Sequence, residues 1–177
     1  MDQHKTEQWR RKSHRAEAQL RQAAATLQEL GGSLRQIDVF AMLAEAYGRG
    51  GHIEEGLCIL TEALARVHKN GECHYEAELY RLKGELLLQD GKSQGAKGNR
   101  QEREDAEECF LQAIDVARRQ HAKSLELRTV MSLGRFWQQQ GKCTEAHQML
   151  AESYGWFTEG FDTLDLQEAQ ALLEELA

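Results

Sequence analysis

The stretch Ser124–Leu150, SLELRTVMSLGRFWQQQGKCTEAHQML, decides the fold. Leu133-Gly134, Trp137, Gly141, Ala146 and Leu150 stand in it at the spacing L-G-x2-W-x3-G-x4-A-x3-L. Apolar residues three and four apart share one helix face, so the segment reads as two amphipathic helices around one break. Leu133 and Trp137 are core knobs of the first helix, and Gly134 is expected to let the second come close. Gly141 stops the first helix in a left-handed turn. Ala146 is small because the first helix presses on it.

The same slots recur upstream. Phe40, Leu43-Ala44, Tyr47, Gly51, Gly56, Leu60 and Ala63 fill them once; Tyr80, Gly84, Leu87, Gly91, Ala106, Phe110 and Ala113 fill them again. Tyr47 to Leu87 is 40 residues and Leu87 to Trp137 is 50, and the Gly51, Gly91 and Gly141 intervals repeat those values. Ala16, Leu20 and Ala23 match Gly56, Leu60 and Ala63 at the same distance of 40. These three copies and one half-copy resemble the tetratricopeptide repeat, a helix–turn–helix unit. The resemblance implies an all-α, right-handed α-solenoid. The period of about 40 exceeds the standard value of about 34, and the chain has no Pro to close its second helices. Lys83 occupies a slot that wants Leu, with Leu82 as the substitute knob.

The totals narrow the class. With 177 residues and 41% hydrophobic content the chain can bury one core. A net charge of −7 argues against general nucleic-acid or anionic-membrane binding. No apolar run approaches the ~18 residues of a membrane span, and the opening MDQHKTEQWRRK lacks a secretion-signal core. Cys58, Cys73, Cys109 and Cys143 lie singly, which reads as reduced thiols in a cytoplasmic protein.

One tetratricopeptide-like domain is expected over residues 1–177. It opens with a half-repeat helix in 1–32, where Trp9, Ser13, Ala16, Leu20, Ala23, Leu27 and Leu30 form one stripe and Gly31-Gly32 ends it. That stripe either packs on the next helix or forms a homodimer seam. Lacking its own first helix, it suggests a piece of a longer array. Repeats follow at 33–72, at 73–121 and at 122–160, with a closing helix in 161–177 that Thr163 or Asp162 would cap. Its stripe is Leu166, Ala169, Leu172, Leu173 and Leu176. The middle repeat carries an insertion, 91–103. Gly51 to Gly56 and Gly141 to Ala146 are each 5 residues, but Gly91 to Ala106 is 15, so GKSQGAKGNR reads as a surface loop.

Chemistry-bearing motifs are scarce. Gly91-Lys92-Ser93 lacks the earlier glycine of a phosphate loop, since Leu86 stands there. Cys143 with His147, and Cys73-His74, supply no four converging ligands. Neither G-x-S-x-G nor H-E-x-x-H occurs. No catalytic residue, cofactor or metal is therefore expected. Tyr154-Gly155-Trp156-Phe157 with Phe161 reads as a bridge from the last repeat to the closing helix, or alternatively as an aromatic docking patch.

Function is then expected on the inner face, lined by the first helix of each pair. The candidate peptide groove is Asp38, Glu45 and Arg49; Glu78, Arg81, Glu85 and Gln89; and Arg128, Arg135, Gln138 and Gln139. Arg128 and Arg135, seven apart on one face, are suited to fork a carboxylate of a peptide. The partner would be a protein or peptide segment. Three segments, Ala77–Leu88, Ala122–Lys142 and Tyr154–Leu176, resemble in wording the C-terminal repeat region of large bacterial proteins. Those proteins join a class III adenylate/guanylate cyclase-type domain and an ATPase module to such an array. That resemblance, over roughly residues 34–176, implies a regulatory, non-catalytic role. The cyclase and ATPase motifs themselves are absent.

Overall fold

A computed structural model describes residue 22 and residues 33–71, 73–93 and 100–177. The half-repeat helix, and with it the homodimer seam, lies outside the described residues, as does the core of the insertion. Among the described residues there are seven α-helices and no strand. They are α1 (Ser33–Gly50), α2 (Ile53–Asn70), α3 (Glu76–Ser93), α4 (Arg100–Arg119), α5 (Lys123–Gln139), α6 (Cys143–Tyr154) and α7 (Leu164–Leu176); a 3₁₀ turn, Cys73–Tyr75, precedes α3.

Each helix packs on the next, and the odd-numbered helices also touch in series: α1 on α3, α3 on α5, α5 on α7. The apolar stripes dictate this. Helix α4 buries Ala106, Cys109, Phe110, Ala113, Ile114, Val116 and Ala117, a face that only neighbouring helices can cover. Phe110 lies against Phe136 with ring centroids 6.4 Å apart, joining α4 to α5. Leu82 is buried where Lys83 is not, as the substitute-knob reading requires.

The turns share one hydrogen-bond scheme. His52 N–H donates to the Tyr47 carbonyl (2.9 Å), Ala122 N–H to Ala117 (2.9 Å) and Lys142 N–H to Trp137 (3.0 Å). Each bond closes on a residue in the left-handed region: Gly51 at φ 80°, His121 at 55° and Gly141 at 78°. This is the Schellman closure of a helix. In the second turn, histidine takes the glycine slot.

Several expectations need correction. Gly91 does not stop α3, which continues to Ser93, and α4 starts at Arg100, inside the segment read as a loop. A glycine in a helix costs only about 1 kcal/mol, so it ends a helix only where the following residues close the turn. Gly134 is not the point of close approach. A Cβ there would meet Leu172 at 3.7 Å and Ala146 at 4.0 Å, whereas one on Gly84 would fall 2.7 Å from the Phe110 ring. Trp137 is half-buried and Phe136 takes the core position. The Trp137 indole keeps its N–H toward Glu107 (2.7 Å), which favours an edge position. Thr163 stands at the start of α7 without capping it, because its hydroxyl donates back to the Gly160 carbonyl (2.7 Å). Helix α7 buries Leu166, Ala169, Leu172 and Leu176 of its expected stripe, leaves Leu173 half-buried, and turns Gln167, Glu168, Gln170, Glu174 and Glu175 outward.

Candidate functional site

The row of odd-numbered helices carries the expected groove residues, but their charges are largely matched within the chain. On α3, the Arg81 guanidinium forks Glu78, with Nε and Nη2 at 2.8 and 2.7 Å from its two oxygens, and reaches Glu85 through Nη1. Ser132 on α5 donates its hydroxyl to the same Glu85 oxygen at 2.8 Å. Arg81 and Glu78 side chains are only 13% and 8% exposed. Burial pulls the guanidinium pKa down, but the Glu78 hydrogen bonds and the charges of Glu78, Glu85 and Glu45 outweigh it and leave the group above its ordinary value.

Arg128 and Arg135 each direct one N–H of the guanidinium to an acid of α7. Arg128 Nε donates to Asp165 at 2.7 Å, and Arg135 Nη2 to Glu168 at 3.1 Å. Both acids sit on α7, which packs against α5. Their place near the start of an amphipathic helix was the available signal, since a helix packed there meets the charges of its neighbour. The Asp165 hydrogen bond holds Arg128 above its ordinary value against the effect of burial.

At the other end, Glu45 pairs with Arg49 on its own helix at 2.6 Å, both exposed. Asp38 Oδ1 is buried without a hydrogen bond and lies 3.5 Å from His74 Nε2. Tyr75, beside His74 in the 3₁₀ turn, has its phenol raised by burial and by the Glu78 and Asp38 carboxylates. Tyr75 and Ser132 escaped the sequence reading because they fall outside the repeat slots, and His74 entered it only as a candidate metal ligand. Gln89 and Gln139 are exposed and Gln138 half-buried. With Asp165 and Glu168 included, carboxylates outnumber guanidiniums along the row, so it does not turn basic toward α5.

Clefts lined by described residues open elsewhere. One of about 380 Å³ mixes signs, with Arg100, Arg103 and Lys142 facing Glu104 and Glu107. Another, about 290 Å³, lies between the starts of α5 and α7, over Leu127, Phe157 and Leu166. Beside it the expected aromatic bridge holds only in part. Tyr154 and Phe157 are half-buried against the core, but Trp156 and Phe161 are exposed, because α6 ends at Tyr154 and the chain turns outward. Among the described residues no three His, Cys, Asp or Glu side chains converge as metal ligands, and no helix is long and apolar enough to cross a membrane. Burial raises the Cys109 thiol, which keeps it protonated and unreactive.

No protein-family model, curated protein or solved structure matches the chain.

Proposed function

We propose that the chain is a non-catalytic, tetratricopeptide-like solenoid of about 40-residue repeats that binds a protein segment along its row of odd-numbered helices. In this reading it serves as the cytoplasmic regulatory region of a cyclase/ATPase-type signalling protein. The supporting observation is the Arg81 cluster, which ties α3 to α5 through Ser132 and Glu85 and holds a polar strip in one arrangement. A strip fixed before binding loses less entropy when a ligand docks. Since α7 answers Arg128 and Arg135, the segment it suits is cationic or neutral, not a carboxylate-bearing one.

Site-specific photo-crosslinking in the producing cell tests this. A benzoylphenylalanine in place of Glu45, on the row, is expected to give a discrete protein adduct. The same group in place of Glu62, on the exposed side of α2, is expected to give none. Equal yields from both positions would remove the row as the binding face.

A further inference from the structure

Among the described residues five large apolar side chains are exposed: Met42, Leu111, Trp156, Phe161 and Leu164. Three of the five fall within residues 156–164, and two of these, Trp156 at 66% and Leu164 at 68%, are more exposed than any of the others. Single exposed apolar residues need no explanation, but a cluster beside a cleft marks an interaction surface. Here the cluster adjoins the 290 Å³ cleft, whose floor is Leu127, Phe157 and Leu166 and whose rim is Glu159, Gly160 and Thr163. That volume is at the lower end for small-molecule pockets and suits one or two bulky side chains.

Charge selects the occupant. Asp165 is taken by Arg128, while exposed Glu159 and Asp162 enter no ion pair among the described residues. The opposing cation is Lys123, 4.1 Å above the Trp156 ring, and Glu126 already binds it at 2.8 Å. The uncompensated charge of the rim is therefore negative. The Trp156 face also shows that a cation settles on it in this setting.

We propose that this cleft docks a short extended segment of another protein, bearing a bulky apolar anchor flanked by Lys or Arg. The anchor enters over Leu127 and Phe157, and the basic flanks meet Glu159 and Asp162. This surface lies at the starts of α5 and α7, at one end of the row, and does not use the Arg81 strip that carries the reading above.

The probe is a fluorescein-labelled decapeptide with a Leu-Phe pair between paired lysines, titrated into the intact chain and followed by anisotropy. Two control peptides replace the lysines by glutamates or the Leu-Phe pair by serines. Saturable binding of the first alone is expected, with the indole N–H resonance of Trp156 shifting and that of Trp137 unmoved. Trp156→Ala, and Glu159→Lys with Asp162→Lys, should each weaken it at least tenfold without changing the circular dichroism, since all three side chains are exposed. Any of four results overturns the proposal: no saturable binding, equal binding of a control peptide, undiminished binding by the variants, or a self-associated chain that Trp156→Ala converts to monomer. The Glu45 cross-linking experiment is unaffected by any of these, so the two readings fail separately.

Discussion

Arg128 on α5 and Asp165 on α7, 37 residues apart, meet at 2.7 Å and join the two helices. Side chains 42% and 32% exposed are well hydrated, so the pair contributes little, about 0.5 kcal/mol. Arg128→Asp alone is expected to destabilise the chain by about 1 kcal/mol through repulsion with Asp165. Adding Asp165→Arg should restore most of that loss. Urea unfolding of both singles and the double mutant measures the coupling. A coupling energy of zero would mean that this pair does not help to hold α7.

Gly84 and Gly134 occupy one repeat slot yet differ in what surrounds them. Gly84→Ala forces a Cβ to within 2.7 Å of the Phe110 ring and should destabilise by about 1–3 kcal/mol, as overpacking does. Gly134→Ala meets only ordinary contacts and removes a flexible residue from a helix interior, so stability should rise by up to about 1 kcal/mol. Thermal melts of the two variants should move in opposite directions.

The glycine pair also illustrates what the sequence could and could not tell. Helix number and register over α1–α7 were legible because apolar spacing of three and four follows directly from helix geometry. Which glycine is pressed was not legible. That depends on whether a phenylalanine or an alanine faces it from the next helix, as Phe110 faces Gly84. The candidate groove residues lie on α1, α3 and α5, but the pairing of Arg128 with Asp165 and of Arg135 with Glu168, across 37 and 33 residues, leaves no local pattern either. Contacts such as Ser132 to Glu85, 47 residues apart, leave no local pattern to find.

His121 holds φ at 55° in the turn between α4 and α5, the conformation that Gly51 and Gly141 adopt in the matching turns. A left-handed non-glycine residue costs roughly 1–2 kcal/mol, partly offset in a glycine variant by the greater freedom of its unfolded chain. His121→Gly should therefore stabilise by about 0.5–1 kcal/mol. A drop in the melting temperature would reveal an interaction of the imidazole that outweighs the backbone strain.

Glu126 is 3% exposed and accepts hydrogen bonds from Arg118 Nε (2.7 Å) and Lys123 Nζ (2.8 Å). Burial pushes its carboxyl up, but the two cations outweigh burial and hold it below the ordinary value of 4.5. The unfolded chain therefore binds the proton more readily than the folded one, and stability rises with pH. The contribution is complete above the ordinary value and is lost as pH falls through the lower, folded one. Glu126→Gln should flatten that part of the acid limb and leave the neutral-pH slope unchanged. Urea titrations from pH 3 to 7 on both proteins test it, and identical acid limbs would assign the acid sensitivity to other carboxylates.

Arg81 is the sharper test of what holds the strip together. Its removal leaves the buried Glu78 carboxylate without its partner and the Glu85 carboxylate beside it. An unpaired buried charge costs more than the lost attraction. Arg81→Met should therefore destabilise by on the order of 3 kcal/mol, far more than Arg128→Asp. The companion variant Arg81→Met with Glu78→Leu removes the buried carboxylate as well and should recover most of the loss, since apolar replacement of a buried pair is often neutral. Lys at position 81 keeps the charge but not the fork, and should fall between the two. Chemical denaturation ranks the three. If Arg81→Met proves as mild as the Arg128 variant, the cluster is solvated and contributes no rigidity to the strip.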